Sequence, residues 1–288
     1  MILGVDIGNY STKTSELSIF DSKVSIIGNI LENNMKIELN REICYLGDGN
    51  FDTCYRKVEK ESYIKLLFGA LALSTKERMI DLVLGLPLSQ FNSDKDLLKE
   101  RIMDDRYLIG KFNNEHKEYV IRNIEVYPEG LGGIDNNYEG IILDIGGLTT
   151  DIALLEIKNN KRKIINPLSL NQGTLHLYSN FIKVINSKYS LDLTSNDTER
   201  ILRNGLKING ETKNITFAMD VFKEFTEGII RQLNVEYSLS TNNLAMLGGG
   251  GIILAKSIIK RVPQAFLVDE PLFANANNFK KRGVSLWE

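Results

Sequence analysis

Two short stretches carry the residue types of a site that handles phosphate and metal. Val5-Asp6-Ile7-Gly8-Asn9-Tyr10-Ser11-Thr12-Lys13 is echoed 138 residues later by Leu143-Asp144-Ile145-Gly146-Gly147-Leu148-Thr149-Thr150-Asp151. In each, an apolar run ends in Asp-Ile-Gly, passes a small polar turn and re-enters an apolar run. Thr12 and Thr150 sit at the same offset. Glycine lets backbone N–H groups close on an anion without steric penalty. Ser11, Thr12, Thr149 and Thr150 add hydroxyl donors, and Lys13 adds a point charge on the β-phosphate side. Asp6 and Asp144, at the strand ends, suit a hydrated Mg²⁺, which keeps several waters and takes one or two carboxylates. Glu129, following Pro128, is a candidate to orient or deprotonate a water for in-line attack on a γ-phosphate. The run Gly248-Gly249-Gly250-Gly251 lies between an apolar strand and an apolar helix, which fits close packing of a flat base or a phosphate at a helix N-terminus.

The elements needed to position these residues follow from the hydrophobic pattern. Each Asp-Ile-Gly copy reads as a β-hairpin with a glycine- and hydroxyl-rich tip, with outgoing strands over 14–20 and 152–157. Two such hairpins imply two related lobes facing one another. Between them, strands are predicted over 23–30, 35–46, 79–84 and 119–127. Helices are predicted over 59–75, where apolar residues recur at helical spacing, and over 94–104, capped by Ser93. Residues 131–140 are expected to carry a short helix crossing between lobes. The second half predicts helices over 174–188, 197–205, 216–241 (interrupted at Gly228), 252–260 and 274–282, with strands over 244–247 and 266–268. Strands alternating with helices argue for α/β layers in both halves.

Composition narrows the function classes. The 288 residues are 43% hydrophobic and 25% charged, enough apolar material for a core in each half. The net charge of −2 argues against a nucleic-acid binder working through bulk positive charge. The basic runs Lys161-Arg162-Lys163 and Lys280-Lys281-Arg282 read as solvated surface. With two histidines, two cysteines and neither CxxC nor HExxH, zinc chemistry has no ligand set. His116 is expected exposed in a loop or hairpin tip, and His176 structural at a helix start. Cys44 and Cys54 are expected as reduced thiols in a cytoplasm. Neither a signal peptide nor a membrane-spanning run is read from the sequence.

The set Asp6-Ile7-Gly8, Pro128-Glu129-Gly130, Asp144 to Asp151 and Gly248 to Gly251 resembles, in order, the phosphate-1, connect-1, phosphate-2 and adenosine motifs of the actin, sugar-kinase and heat-shock-chaperone ATPase superfamily. Phe273-Ala274-Asn275-Ala276-Asn277-Asn278-Phe279 looks like the second connecting motif. Leu84-Gly85-Leu86-Pro87-Leu88-Ser89 and Leu272-Phe273-Ala274-Asn275-Ala276 look most like the ParM/StbA plasmid-segregation actins. The resemblance implies an α/β, two-lobed actin-like ATPase fold, each lobe a mixed sheet flanked by helices, with nucleotide in the cleft. It implies lobe I over 1–138 and 272–288 (insertion subdomain about 31–60) and lobe II over 139–271 (subdomain about 165–243).

Residue by residue, it implies catalytic roles for Glu129, Asp144 and Asp151. Asp6 and Asp144 would hold Mg²⁺ through water. Asp6, Gly8, Asn9, Tyr10, Ser11, Thr12, Lys13, Gly146, Gly147, Leu148, Thr149, Thr150, Gly248, Gly249, Gly250 and Gly251 would hold ATP or GTP. Glu199 and Arg203 lie on the helix that contacts ribose and base in relatives. A sugar kinase would need a sugar-reading insert, a chaperone a peptide-binding domain after Trp287-Glu288, and a rod-shape relative an amphipathic membrane helix. The implied function is therefore a filament-forming nucleoside triphosphatase. It would drive plasmid DNA segregation through a DNA-binding adaptor protein, without touching nucleic acid or membrane itself. A phosphotransferase or polyphosphate phosphatase, and a non-hydrolysing nucleotide-binding assembly module, are the alternatives.

Overall fold

A strand buried at every position has to be covered on both faces, and Ile2–Ile7 is such a strand. The computed structural model describes residues 1–28, 35–52, 54–159 and 161–288. Ile2–Ile7 pairs antiparallel with Ser11–Thr14, which pairs antiparallel with Ile19–Asp21. On its other side it runs parallel to Met79–Leu86, itself parallel to Glu115–Pro128. The second half repeats this order and sense. Gly140–Ile145 pairs antiparallel with Thr150–Lys158, then Lys161–Leu170, and parallel with Leu244–Leu247, then Ala265–Leu267. The internal repeat seen in two nonapeptides therefore extends over five strands of each sheet.

The first sheet continues beyond Glu115–Pro128 through Tyr107–Phe112, Met35–Leu39, Glu42–Leu46, Lys23–Ser25 and Asn50–Phe51. Helices Tyr63–Ser74, Leu88–Asp104 and Ala274–Trp287 pack on this sheet, and Gly248–Ile259 packs on the second. The C-terminal helix thus returns to the sheet that contains the first strand. Each sheet has its own apolar core, one centred on Leu67, Phe68 and Leu84, the other on Phe181, Leu233 and Met246. A third cluster, including Leu88, Leu131, Ile142, Leu247 and Val268, joins the two halves behind the cleft.

Several elements differ from the sequence-based expectation, each for a local reason. The strand expected over 35–46 is a hairpin, because Asn40 and Arg41 take positive φ and reverse the chain. The outgoing strand expected over 14–20 breaks at Leu17, also at positive φ. The helix expected to begin after Ser93 begins at Leu88, with Pro87 as its N-cap, whose carbonyl accepts the Gln90 and Phe91 N–H groups at 2.9 and 3.0 Å. Residues 131–139 form turns and irregular backbone rather than a crossing helix, and Gly140 opens the next strand. The helix expected over 216–241 spans Met219–Glu236 and runs through Gly228 unbroken. Lys161–Leu170 is an edge strand, the position in a sheet that tolerates its Pro167. Leu206–Ile208 and Glu211–Lys213 form a small hairpin turned by Asn209-Gly210. Of the strand expected over 23–30, Lys23–Ser25 forms, and residues 29–30 lie outside the described residues. His116 and His176 are both exposed, and both thiols are free. Among the described residues no helix is long and apolar enough to cross a membrane.

Candidate functional site

The two Asp-Ile-Gly turns close in the same way. Gly8 N–H donates to the Ser11 carbonyl at 3.1 Å, and Gly146 N–H donates to the Thr149 carbonyl at 2.9 Å. Register places Asp6 opposite Lys13 in one hairpin and Asp144 opposite Asp151 in the other. The tips meet: a Cβ added to Gly147 would stand 2.8 Å from the Tyr10 Cβ, so only glycine fits there. Beneath them lies a cavity of about 520 Å³, within the usual range for a small-molecule site.

Both hairpins supply walls of this cavity. Asp6, Gly8, Asn9, Tyr10, Ser11 and Lys13 come from the first, and Gly146, Gly147, Thr149, Asp144 and Asp151 from the second. Glu129, Glu199, Gly248, Gly249 and Gly250 line it as well. Glu129 is set by the turn after Pro128, where its N–H donates to the Leu86 carbonyl at 2.9 Å and Gly130 takes a positive φ. The glycine run is the first turn of helix Gly248–Ile259 rather than a loop before it. Gly248 has φ +80°, and a Cβ there would lie 2.5 Å from Asp144 Oδ1. Gly248 N–H donates to the Pro271 carbonyl at 3.0 Å, and the positive end of that helix opens onto the acidic hairpin.

Five expected ligand residues do not line the cavity. The Thr12 hydroxyl is paired with Ser22 Oγ at 3.0 Å, and Thr150 donates to the Gln172 carbonyl at 2.6 Å. Both threonines are fully buried behind their turns, since alternation along a strand sends every second side chain away from the cleft. Leu148 is half-buried beside the tip without facing the cavity. Arg203 is exposed in the last turn of Thr198–Asn204, one turn beyond Glu199. Gly251 faces Leu267 and Met246 in the second core.

Electrostatics set the carboxylates apart. Burial pushes the Asp144 carboxyl up to about 6, against a hydrogen bond from Asn275 Nδ2 at 2.9 Å. Burial likewise raises Asp151 to about 6, against bonds from Ser169 at 2.6 Å and Thr149 at 3.1 Å. Glu129 is raised by burial and opposed by the Lys57 ammonium, 2.5 Å from its Oε1. Asp6 faces two cations, Lys57 at 3.7 Å and Lys13 at 3.8 Å.

Lys57 and Asn275 line the cavity without having been singled out for it in the sequence. Lys57 is 2% exposed; burial opposes its charge, but Glu129 and Asp6 hold it above the ordinary lysine range. Asn275 ties three parts together, since its Oδ1 accepts the Gly130 N–H at 2.9 Å while its Nδ2 donates to Asp144. It falls within the segment resembling a connecting motif, which was the available signal. Lys57 lies in a single 3-10 turn with no motif around it. At the cavity mouth, the Tyr10 ring stacks on Phe51 at 5.0 Å and its hydroxyl donates to Glu199 at 3.0 Å. Lys23 reaches Asn196 at 3.3 Å, a second bond across the mouth.

The family model described as Actin like proteins N terminal domain matches residues 4–132. Solved structures align over nearly the whole chain. A 15-stranded ParM filament from Clostridium botulinum is 22% identical with TM-score 0.81, covering 99% of both chains. The archaeal actin homologue Ta0583 in complex with ADP is 18% identical with TM-score 0.82, again over 99% of both. The fold is actin-like. An Alp12 filament structure aligns with TM-score 0.68 at 21% identity, over 100% of this chain and 99% of the other. No curated protein matches the chain in sequence. In this chain the paired hairpins and the turn after Pro128 carry Asp6, Lys13, Glu129, Asp144 and Asp151 around one cavity.

Proposed function

We propose that this chain is an actin-like nucleoside triphosphatase that assembles with bound ATP or GTP, hydrolyses it with Mg²⁺ and segregates plasmid DNA through a DNA-binding adaptor protein. It would act in the cytoplasm, without contacting nucleic acid or membrane itself. One observation carries the reading: two hairpins of matched register put Asp6, Lys13, Asp144 and Asp151 around one cavity, with Glu129 at its back. Likeness in fold to the ParM and Alp12 filament proteins supports the assembly part.

The donor set fits Mg²⁺. Among the described residues no three His, Cys, Asp or Glu side chains are grouped to enclose an ion. Mg²⁺ needs no such cage; it takes one or two carboxylates, several waters and phosphate oxygens. Asp6 and Asp144 would hold it through water, and when bound it would neutralise charge on the β- and γ-phosphates. The chain's own groups do the rest. The Gly8–Ser11 and Gly146–Thr149 turns would present N–H groups to the phosphates from opposite sides. Lys13 and Lys57 would add positive charge, and Glu129 would orient the attacking water, its carboxylate set in place by Lys57. Asp151 would stand behind that water. Gly248 to Gly250 would let the nucleoside lie flat against the helix N-terminus, with Glu199 at the ribose.

Loss of the γ-phosphate would relax the grip between lobe I, over 1–138 and 272–288, and lobe II, over 139–271, weakening the polymer. The test is light scattering and phosphate release at tens of micromolar protein, with ATP and GTP in parallel and with Mg²⁺ or EDTA. Scattering should rise with one nucleotide and Mg²⁺, followed by phosphate release. A flat trace with both nucleotides rejects assembly, and scattering without phosphate release rejects hydrolysis.

A further inference from the structure

Two lysines, 2% and 1% exposed, lie within four residues of each other in the segment that carries Lys57. Lys57 meets Glu129, and Lys60 Nζ donates to the Asn9 side-chain Oδ1 in the first hairpin tip. Two buried ammonium groups on one short segment repel each other and lose hydration, so they remain in place only if the main chain beneath them is fixed. That fixation comes from helix Leu88–Asp104, which lines none of the cavity.

Gln90 is its centre. The side chain is 4% exposed, its Oε1 accepts the Lys57 N–H at 3.0 Å, and its Nε2 donates to the Tyr55 carbonyl at 2.8 Å. One amide thus closes both main-chain groups that flank Arg56. Asp94, fully buried, receives Arg56 through two bonds of 3.0 and 2.7 Å. Arg101 donates to the Val58 carbonyl and, at 2.7 Å, to the Lys60 carbonyl. Three side chains spaced along one helix, Gln90, Asp94 and Arg101, therefore pin five of the six residues from 55 to 60, Lys57 among them.

We propose that Gln90 is a positioning residue for nucleotide hydrolysis, fixing the Lys57 main chain so that its ammonium sets the Glu129 carboxylate. This rests on the hydrolysis reading above. Gln90 lines no part of the cavity, and its two bonds reach the site only through the main chain of the segment that carries Lys57. A displacement of about 1 Å at a reacting group costs up to ~10²-fold in rate, so loosening the segment should lower turnover while leaving the phosphate-holding hairpins intact.

The test is a double-mutant cycle on phosphate release, using the full chain with Mg²⁺ and whichever nucleotide it hydrolyses. Gln90→Ala should lower kcat about tenfold, with KM within about twofold. Lys57→Met should lower it further, and the double variant should fall no lower than Lys57→Met alone. Unchanged kcat in Gln90→Ala, or losses that multiply in the double variant, overturns the proposal. If Gln90→Ala fails to fold, Arg101→Lys frees the same segment from the Val58 and Lys60 carbonyls and takes its place in the cycle, under the same two criteria. Wild-type protein that releases no phosphate rejects the parent reading together with this one. Normal wild-type release beside an unaffected Gln90→Ala rejects this one alone.

Discussion

The two hairpins share a backbone and differ in charge. Ile2–Ile7 with Ser11–Thr14 and Gly140–Ile145 with Thr150–Lys158 have the same register and the same turn-closing bond. At the position opposite the strand-ending aspartate, one carries Lys13 and the other Asp151. Around Asp6 the neighbours are cations, Lys13 and Lys57. Around Asp144 and Asp151 they are neutral donors: Asn275, Ser169 and Thr149. A cationic tip suits holding phosphate. Carboxylates held by neutral donors, and raised by burial, suit water and a metal's hydration shell. One backbone plan occurs twice, and one residue per hairpin gives the two copies opposite charge.

The largest effect should come from erasing that difference. Lys13→Asp makes the first hairpin copy the second and replaces an attraction to phosphate with a repulsion. At about 4 Å and an effective dielectric near 20, a unit charge pair is worth about 4 kcal/mol, so nucleotide affinity should fall at least ~10³-fold by calorimetric titration. Affinity within tenfold of wild type would mean that phosphate does not lie near Lys13.

Next is Glu129→Ala, which leaves both hairpins and their charges untouched. Binding and assembly should persist while phosphate release slows ~10²-fold. Normal turnover would remove Glu129 from the chemistry. A smaller effect is expected at Asn275, the neutral partner that sets the second hairpin apart. Asn275→Ala leaves the Gly130 N–H and one Asp144 oxygen without their bonds in a buried setting, which should cost about 1–3 kcal/mol in denaturant unfolding. A variant as stable as wild type would show that water replaces the amide freely.

What could be read from sequence was whatever is local. Asp6, Gly8, Asp144 and Gly146 announce themselves because hairpin, turn and chemistry fall within nine residues that occur twice. The buried strand over 244–247 was legible for the same reason, its apolar run being framed by a glycine run. Lys57 was not, since its partner Glu129 lies 72 residues away and only the folded sheet brings them together. Asn275 reaches Asp144 across 131 residues. The start of helix Leu88–Asp104 was misplaced because Ser93 is a good capping residue in isolation. Pro87 and the apolar cluster around Leu88 decide the matter through contacts that no local pattern contains. That each copy makes a hairpin was legible, but the extent of its outgoing strand and which threonine hydroxyls face the cleft depended on strand pairing.

Those threonines give the smallest effect and the finest test of hairpin equivalence. Thr12→Val and Thr150→Val each remove a hydroxyl that points behind its turn. Nucleotide affinity should stay within about twofold in both. Their stability should differ, because the abandoned partners differ. Thr12→Val strands Ser22 Oγ, whose residue is 2% exposed, whereas Thr150→Val strands the carbonyl of exposed Gln172, which water can reach. A buried orphan costs about 1–3 kcal/mol and a solvated one much less. The first variant should therefore unfold at lower denaturant than the second. A tenfold loss of affinity in either would mean that its hydroxyl turns into the cleft to meet phosphate. Equal destabilisation would mean that the space behind the two turns is equally wet, and that the hairpins are more alike than their partners indicate.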